Sequence, residues 1–357
     1  MKRGRISLLG VAVLVPFLYS CAVSTERPEE DSGPVVYLHR MGHCDAPGPS
    51  RGLYVSGKHA YVVGNKGFRI IDISDPSNLQ AVGHYYPPAA QREAWRMRGV
   101  HVVWHYAYVA IGNGGLRIVD ISDISRPKEL GFHSGSAWDV QVVGDCAYVA
   151  AGNGLRVIDV ADPENPREIG FYDTTGGIKK NHEAAQRVRV VGEYAYLVAG
   201  DRGVRVIDVS SPMLPREISS YRMHGCPVLD VYINGKYAYV SGGYGLRVVD
   251  ISVPSIPREV GEWDPRVYHR RQARKIYCAT VQFGGLGVHV IGDYAYVIGD
   301  KIYVMDVSNP RKPRLAGGGG ASGPRAVHVT DDYIYATAAS CLWILRLDAG
   351  SDTINGA

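Results

Sequence analysis

No catalytic signature is present in the 357 residues. No HExxH helix or P-loop occurs, and no GxSxG or GxGxxG match stands at a strand-to-helix junction. CxxC and CxxxxH metal spacings are missing too. These gaps remove the commonest hydrolase, nucleotide-binding and zinc-site readings, and no cofactor is implied. Long apolar runs are also scarce. The run Ile6–Phe17 spans 12 residues, short of the roughly 20 that a membrane-spanning helix needs. Charge of one sign is lacking as well. The formal net charge is +4, but Lys2, Arg3 and Arg5 all precede the apolar run, and without them 36 basic residues face 35 acidic ones. That balance gives no global attraction to nucleic acid or to an anionic surface, so any such attraction must be local.

Three basic residues followed by a short apolar run read as an export signal over residues 1–20. The segment Leu18-Tyr19-Ser20-Cys21 resembles a bacterial lipoprotein box. The resemblance implies that Cys21 is lipidated and becomes the first mature residue. With Ala22 rather than Asp after it, it also implies sorting to the outer membrane or cell surface. A cleaved signal with a chance cysteine and an uncleaved anchor are the alternatives. Residues 22–34 are polar, with Glu26, Glu29, Glu30 and Asp31 between Pro28 and Pro34, and read as a flexible tether. Export places the remaining Cys44, Cys146, Cys226, Cys278 and Cys341 in an oxidising compartment. Cys44 with Cys341 and Cys226 with Cys278 are candidate disulfides, and Cys146 is left over.

What is present is repetition. One unit reads Val188-Arg-Val-Val-Gly-Glu-Tyr-Ala-Tyr-Leu-Val-Ala-Gly200, then Gly203-Val-Arg-Val-Ile-Asp-Val-Ser210, then Pro215-Arg-Glu-Ile218. Similar units begin near Leu53, Val100, Val140, Val231, Val288 and Val327. Each reads as four short strands separated by Gly and Pro turns, too brief and too β-branched for helices. Four antiparallel strands every 40 to 55 residues make an all-β, seven-bladed β-propeller over residues 35–348, with 349–357 a disordered tail. The last unit stops after three strands, while Val35–Arg40 is an orphan strand. Pairing the two closes the ring and removes an exposed edge.

The third strands are Phe68-Arg-Ile-Ile-Asp72, Leu116-Arg-Ile-Val-Asp120, Leu155-Arg-Val-Ile-Asp159, Val204-Arg-Val-Ile-Asp208 and Leu246-Arg-Val-Val-Asp250. They resemble the LVIVD repeat, a family of predicted propellers on bacterial and archaeal surface proteins. Units six and seven depart from it, with Tyr303-Val-Met-Asp306 and with Arg346 where Asp is expected.

A repeat protein separates scaffold from site: a residue found in every unit serves the unit. By that rule Tyr61, Tyr108, Tyr148, Tyr196, Tyr239, Tyr296 and Tyr335 are scaffold, and tyrosine richness is no argument for sugar binding. The aspartates that end the third strands cap turns, and Arg69, Arg117, Arg156, Arg205 and Arg247 are expected to pair with them between units. Departures from the repeat are the candidates for function. Three long linkers share one face. The first contains Trp95, the second Lys179, Lys180 and His182, and the third Arg270, Arg271, Arg274 and Lys275. Two residues before the valine of each first strand stand Arg51, Arg98, Trp138, Gln186, Leu229, Leu286 and Arg325. The three arginines fall on neighbouring units and form an arc suited to carboxylate, phosphate or sulfate. His101, His289 and His328 share a first-strand position, and packing is favoured over metal binding there. The expectation is a lipid-anchored envelope scaffold that binds a protein or an anionic glycan through its long-loop face. The alternative is an exported hydrolase or lyase acting at the channel mouth, which would require converging carboxylates or paired histidines.

Overall fold

The computed structural model describes residues 36–87, 97–174, 185–264, 287–320 and 323–349. They are all-β, with strands β1–β28 in chain order and no long helix among them. The first strand of each unit lies innermost: β2 (Ser50–Ser56), β6 (Gly99–Val103), β10 (Asp139–Val143), β14 (Arg187–Val191), β18 (Val228–Asn234), β22 (Val288–Ile291) and β26 (Pro324–Val329). Neighbours in this series touch, and β26 touches β2, so the inner strands form a closed cycle around a channel.

Five of the inner strands begin separate four-stranded antiparallel sheets that run outward in sequence order. The last two belong to one eight-stranded sheet rather than to two separate ones. One half of it is β22, β23 (Tyr294–Ile298), β24 (Ile302–Asp306) and β25 (Arg314–Gly319). The other half is β26, β27 (Ile334–Ala338), β28 (Cys341–Ala349) and β1 (Val36–Asp45). A single parallel pair, Val36 with Gly317, joins the halves. The first described strand therefore pairs antiparallel with the last, from Val36–Ala349 to Asp45–Cys341.

The repeat determines the packing. Alternation along each strand sends small and β-branched residues to both faces, and seven apolar clusters fill the spaces between successive units. The seven repeated tyrosines are all buried in them. In each fourth strand a glycine lies against the turn carbonyl of the next unit, as Gly83 on Ile124, Gly131 on Pro163, Gly170 on Pro212 and Gly261 on Pro310. Ser219 replaces it once and donates its hydroxyl to the Pro254 carbonyl at 2.6 Å. Gly317 against Val36 and Gly42 against Pro76 complete the cycle.

Each third-strand aspartate accepts the backbone N–H two residues on, as Asp72 from Ser74 at 2.9 Å and Asp208 from Ser210 at 3.0 Å. This N–H holds the carboxyls of Asp72 and Asp250 below the usual range, and for Asp208 the Ser210 hydroxyl leads. The repeated arginines have other partners than expected. Arg117 and Arg205 each reach a fourth-strand glutamate, Glu129 and Glu217, at 2.8 Å. Each glutamate also accepts the hydroxyl of a tyrosine in the preceding unit, Tyr85 and Tyr172 respectively. Arg247, Glu259 and Tyr221 repeat the arrangement. The arginines do tie adjacent units, but through Glu and Tyr. The aspartates are held instead by their own turns.

Candidate functional site

The inner strands enclose a cavity of about 290 Å³ at the end of the channel where they begin. Arg51, Arg98 and Arg325 all line it, so the arc read from the sequence converges. The Arg98 guanidinium lies 3.9 Å from the centre of the Trp138 ring, which positions it rather than leaving it to swing. Trp95, Arg270, Arg271, Arg274 and Lys275 lie outside the described residues, as do Lys179, Lys180, His182, Cys21 and Cys278.

Two more arginines and two carboxylates enter the same cavity, none of them foreseen. Arg189 Nη1 stands 2.9 Å from Asp139 Oδ2, and Nη2 stands 3.6 Å from Asp230 Oδ1. Arg187 Nε lies 3.9 Å from the same Asp230 oxygen. Asp139 also accepts the Val188 N–H at 3.2 Å, and Asp230 accepts the N–H groups of Val231 at 2.9 Å and Val288 at 3.2 Å. Each carboxylate thus reaches the next unit and satisfies donors on the free edge of an inner strand. Burial raises the pKa of Asp230, with Arg189 and then Arg187 opposing it. Arg189 loses hydration, but the carboxylates of Asp230 and Asp139 keep it charged.

The sequence contains a signal for three of these four residues. The position just before the first-strand valine holds Gly52, Gly99, Gly287 and Ala326 in four neighbouring units, but Asp139, Arg187 and Asp230 in the other three. The comparison of units that found the arginine arc finds this charged wall one position over. At Gly52 and Gly99 a side chain would collide with the next inner strand, so the small residues let those strands approach closely.

Around the channel the position after the valine holds Tyr54, His101, Gln141, Arg189, Tyr232, His289 and His328. Five of these rings form an unbroken series of edge-on and tilted contacts. Tyr54 lies 4.8 Å from His101 and 5.5 Å from His328, His328 lies 5.0 Å from His289, and His289 lies 4.4 Å from Tyr232. Gln141 continues the girdle by bonding both the N–H and the C=O of Val190 at 3.0 Å. Burial lowers His101 to about 4, with the Asp139 carboxylate opposing it, and burial followed by the Arg189 charge lowers His328 to about 4. Burial and then His328 lower His289 to about 3. All three imidazoles are neutral at pH 7. Among the described residues no group of three or more His, Cys, Asp or Glu is placed to hold a metal.

The mouth therefore contains both carboxylates and a histidine pair, the features expected of the enzymatic alternative. Their environment limits them. Both carboxylates are engaged by guanidinium and backbone N–H groups, and the histidines are packed ring against ring. Five guanidinium groups and two carboxylates thus line one cavity.

Cys44 and Cys341 are free thiols rather than a disulfide, and Cys278, the expected partner of Cys226, lies outside the described residues. Cys44 lies opposite Leu342, and Cys341 lies opposite Asp45. Residues directly opposite share a face and neighbours along a strand do not, so Cys44 and Cys341 project from opposite faces of the sheet. Cys226 Sγ contacts Met223 Sδ at 3.2 Å.

No curated protein matches the chain. Among solved structures, the crystal structure of the computationally designed Ika8 protein aligns with a TM-score of 0.57. That alignment covers 87% of this chain and 89% of the designed one at 11% identity, a likeness of fold alone. The LVIVD repeat matches residues 47–86, 96–132, 134–174, 184–223, 227–264 and 286–318, more than half of the chain. The unit that carries Arg346 lies outside these segments, as its departure from the motif anticipates. With six matched repeats in a propeller-like arrangement of sheets, the chain belongs to the LVIVD repeat family.

Proposed function

We propose that this chain is a cell-envelope lipoprotein, anchored through Cys21, that binds an anionic partner at the long-loop end of a seven-bladed ring. The closed cycle of seven inner strands supports the blade count, with the eight-stranded sheet counted as two blades bridged at Val36. The observation that carries the binding reading is the convergence of five guanidinium groups on one cavity. Arg51, Arg98 and Arg325 line it alongside Arg187 and Arg189, and the latter two are offset by Asp139 and Asp230. Guanidinium groups on several blades suit an oxyanion approached from above the channel, because each planar fork can bond two of its oxygens. The partner is an anionic glycan or an acidic protein segment, and the long-loop residues Trp95, Arg270, Arg271, Arg274 and Lys275 extend the same face. Screening weakens exposed contacts above about 0.15 M salt, where the Debye length is roughly 8 Å.

The test is an immobilised panel of anionic glycans, lipid headgroups and cell-envelope extracts, read at two salt concentrations. The triple variant Arg51→Gln, Arg98→Gln, Arg325→Gln is expected to lose binding and to keep the wild-type melting temperature. Equal binding by the variant overturns the reading.

A second reading rests on Asp230. A buried carboxyl with a raised pKa facing a cleft is a feature of acid–base sites. In an exported hydrolase or lyase, Asp230→Asn would abolish turnover of a substrate that the variant still binds. The binding reading expects no turnover to lose.

A further inference from the structure

The repeat marks a second departure, on the face opposite the cavity. Inner strands begin at the cavity and end at the first turn of each unit. Third strands run in the same direction, so the turn into the fourth strand shares that face. Backbone bonds join the two turns, as in Ile73 N–H to the Lys58 carbonyl at 2.9 Å and Val209 N–H to the Glu193 carbonyl at 2.8 Å.

On this turn face, glycine holds the left-handed position of the first turn at Gly57, Gly144, Gly192, Gly235 and Gly292, with φ between 53° and 58°. The second unit places Trp104 there instead, at φ 56° and 90% exposed. A bulky side chain is kept in a backbone conformation that disfavours it, while its ring gains nothing from the protein interior.

The second turns depart similarly. In most units their tips are polar, and Asp75, Asp123, Asp162 and Asn309 bond the N–H two residues on. Units four and five, which are neighbours, have Ser211 and Val253 at that position. Their tips carry Met213, Leu214, Val253 and Ile256, each more than half exposed. Five large apolar side chains thus project from one face at positions that are glycine or polar elsewhere.

The chain leaves the ring on this same face. Val36 pairs with Ala349, the last residue of β28, which runs toward the turns. The stretch from Cys21 to Pro34 is 14 residues, and a chain of that length reaches at most roughly 50 Å. A lipid on Cys21 would therefore tether this face, rather than the cavity face, nearer to a bilayer.

We propose that the turn face of the ring rests on a bilayer, with Trp104, Met213, Leu214, Val253 and Ile256 inserted at its surface and the arginine cavity turned away from it. This orientation rests on the anchoring of Cys21. The contact is apolar rather than electrostatic. The carboxylates of Asp72, Asp208 and Asp250 crowd this face, and Arg216 opposite Asp208 and Arg258 opposite Asp250 offset them. Membrane contact is therefore insensitive to salt and does not require anionic lipid, whereas ligand binding at the cavity is salt-sensitive.

The test uses the full-length chain, purified from membranes and reconstituted in phosphatidylcholine vesicles that carry brominated acyl chains. Bromine quenches tryptophan within van der Waals reach. The expected result is quenching that persists in 0.5 M salt and disappears in Trp104→Phe. A second variant, Met213→Ser, Leu214→Ser, Val253→Ser and Ile256→Ser, is expected to reduce the quenching at least twofold while the melting temperature is retained. Mass spectrometry reports the anchor separately. If the chain proves to be cleaved and soluble, the lipoprotein reading fails, and quenching is then read on adding vesicles at millimolar lipid. Absence of Trp104 quenching in both formats overturns the proposal whatever the state of Cys21. Quenching that requires anionic lipid overturns it as well.

Discussion

Removing residues 35–43 takes away most of the strand that joins the two ends of the fold, and its cost follows from the register. Nine residue pairs link β1 to β28, and the deletion removes seven of them, Val36 through Arg40 with Gly42 and His43. At about 1 kcal/mol net per hydrogen bond, with roughly one bond per pair, the ladder alone is worth roughly 7 kcal/mol. The deletion also removes Val36, which is 1% exposed, from the cluster that buries Leu345. It leaves β28 as an open edge. A domain is stable by only about 5–15 kcal/mol, so the loss is comparable to the whole. For a domain of this size each kcal/mol shifts the melting temperature by about 2 °C. The expected fall is therefore at least about 10 °C in a thermal scan followed by circular dichroism, with faster proteolysis at the C-terminal strands. A melting temperature within about 2 °C of wild type would mean that β28 is stable without its partner, and ring closure by β1 would then be dispensable.

Other perturbations follow from the same geometry. Trp104→Gly relieves a left-handed residue and should stabilise the fold by about 0.5–1 kcal/mol in urea unfolding; a destabilised variant would mean that the tryptophan is not strained. Arg205→Gln leaves Glu217 and Tyr172 without their guanidinium and should cost roughly 1–2 kcal/mol, whereas Arg325→Gln, in the cavity, should leave urea stability unchanged. Acid should weaken the fold before its turn carboxylates titrate. His101, His289 and His328 have folded pKa values of about 4, 3 and 4, against 6.5 for the free group, so the unfolded chain takes up protons first as the pH falls. Their contribution is complete above pH 6.5 and is lost progressively toward pH 4. It amounts to several kcal/mol, at about 1.4 kcal/mol for each tenfold difference in proton affinity between the folded and unfolded chain. His328→Gln should flatten that part of the pH–stability curve, and an unchanged curve would mean that His328 has the same proton affinity in the folded and unfolded chain.

The parts of this molecule that repeat were legible in the sequence. The LVIVD-type strands, the turn aspartates, the buried tyrosines and the pairing of Val36 with the last strand all follow from comparing one unit with the next. The arginine arc was legible for the same reason, since Arg51, Arg98 and Arg325 stand where other units have Trp138, Gln186 or Leu229. Asp139, Arg187 and Asp230 are less legible because they stand one residue before the valine rather than two, and Arg189 because it shares its position with the ring residues Tyr54, His101, Tyr232, His289 and His328. Which flanking positions face the channel depends on strand twist, and a list of strands does not give it. The cysteine error has a similar origin. Cys44 and Cys341 do end paired strands, but a disulfide depends on which face each side chain takes, and the register decides that in steps of one residue. The arginine partners were misread because the repeated glutamates Glu129, Glu168, Glu217 and Glu259 lie in the fourth strand, where only the fold brings them beside the third-strand arginines.

Whether the guanidinium cluster at the channel mouth binds an oxyanion is decided by calorimetry. The strongest panel ligand is titrated into wild type and into the Arg51→Gln, Arg98→Gln, Arg325→Gln variant at 50 mM and 300 mM salt. Wild-type affinity should fall as salt rises, and the variant should bind at least tenfold more weakly with a shallower salt slope. Equal affinity and equal salt slope in the two proteins would rule out the arginine cavity as the binding site.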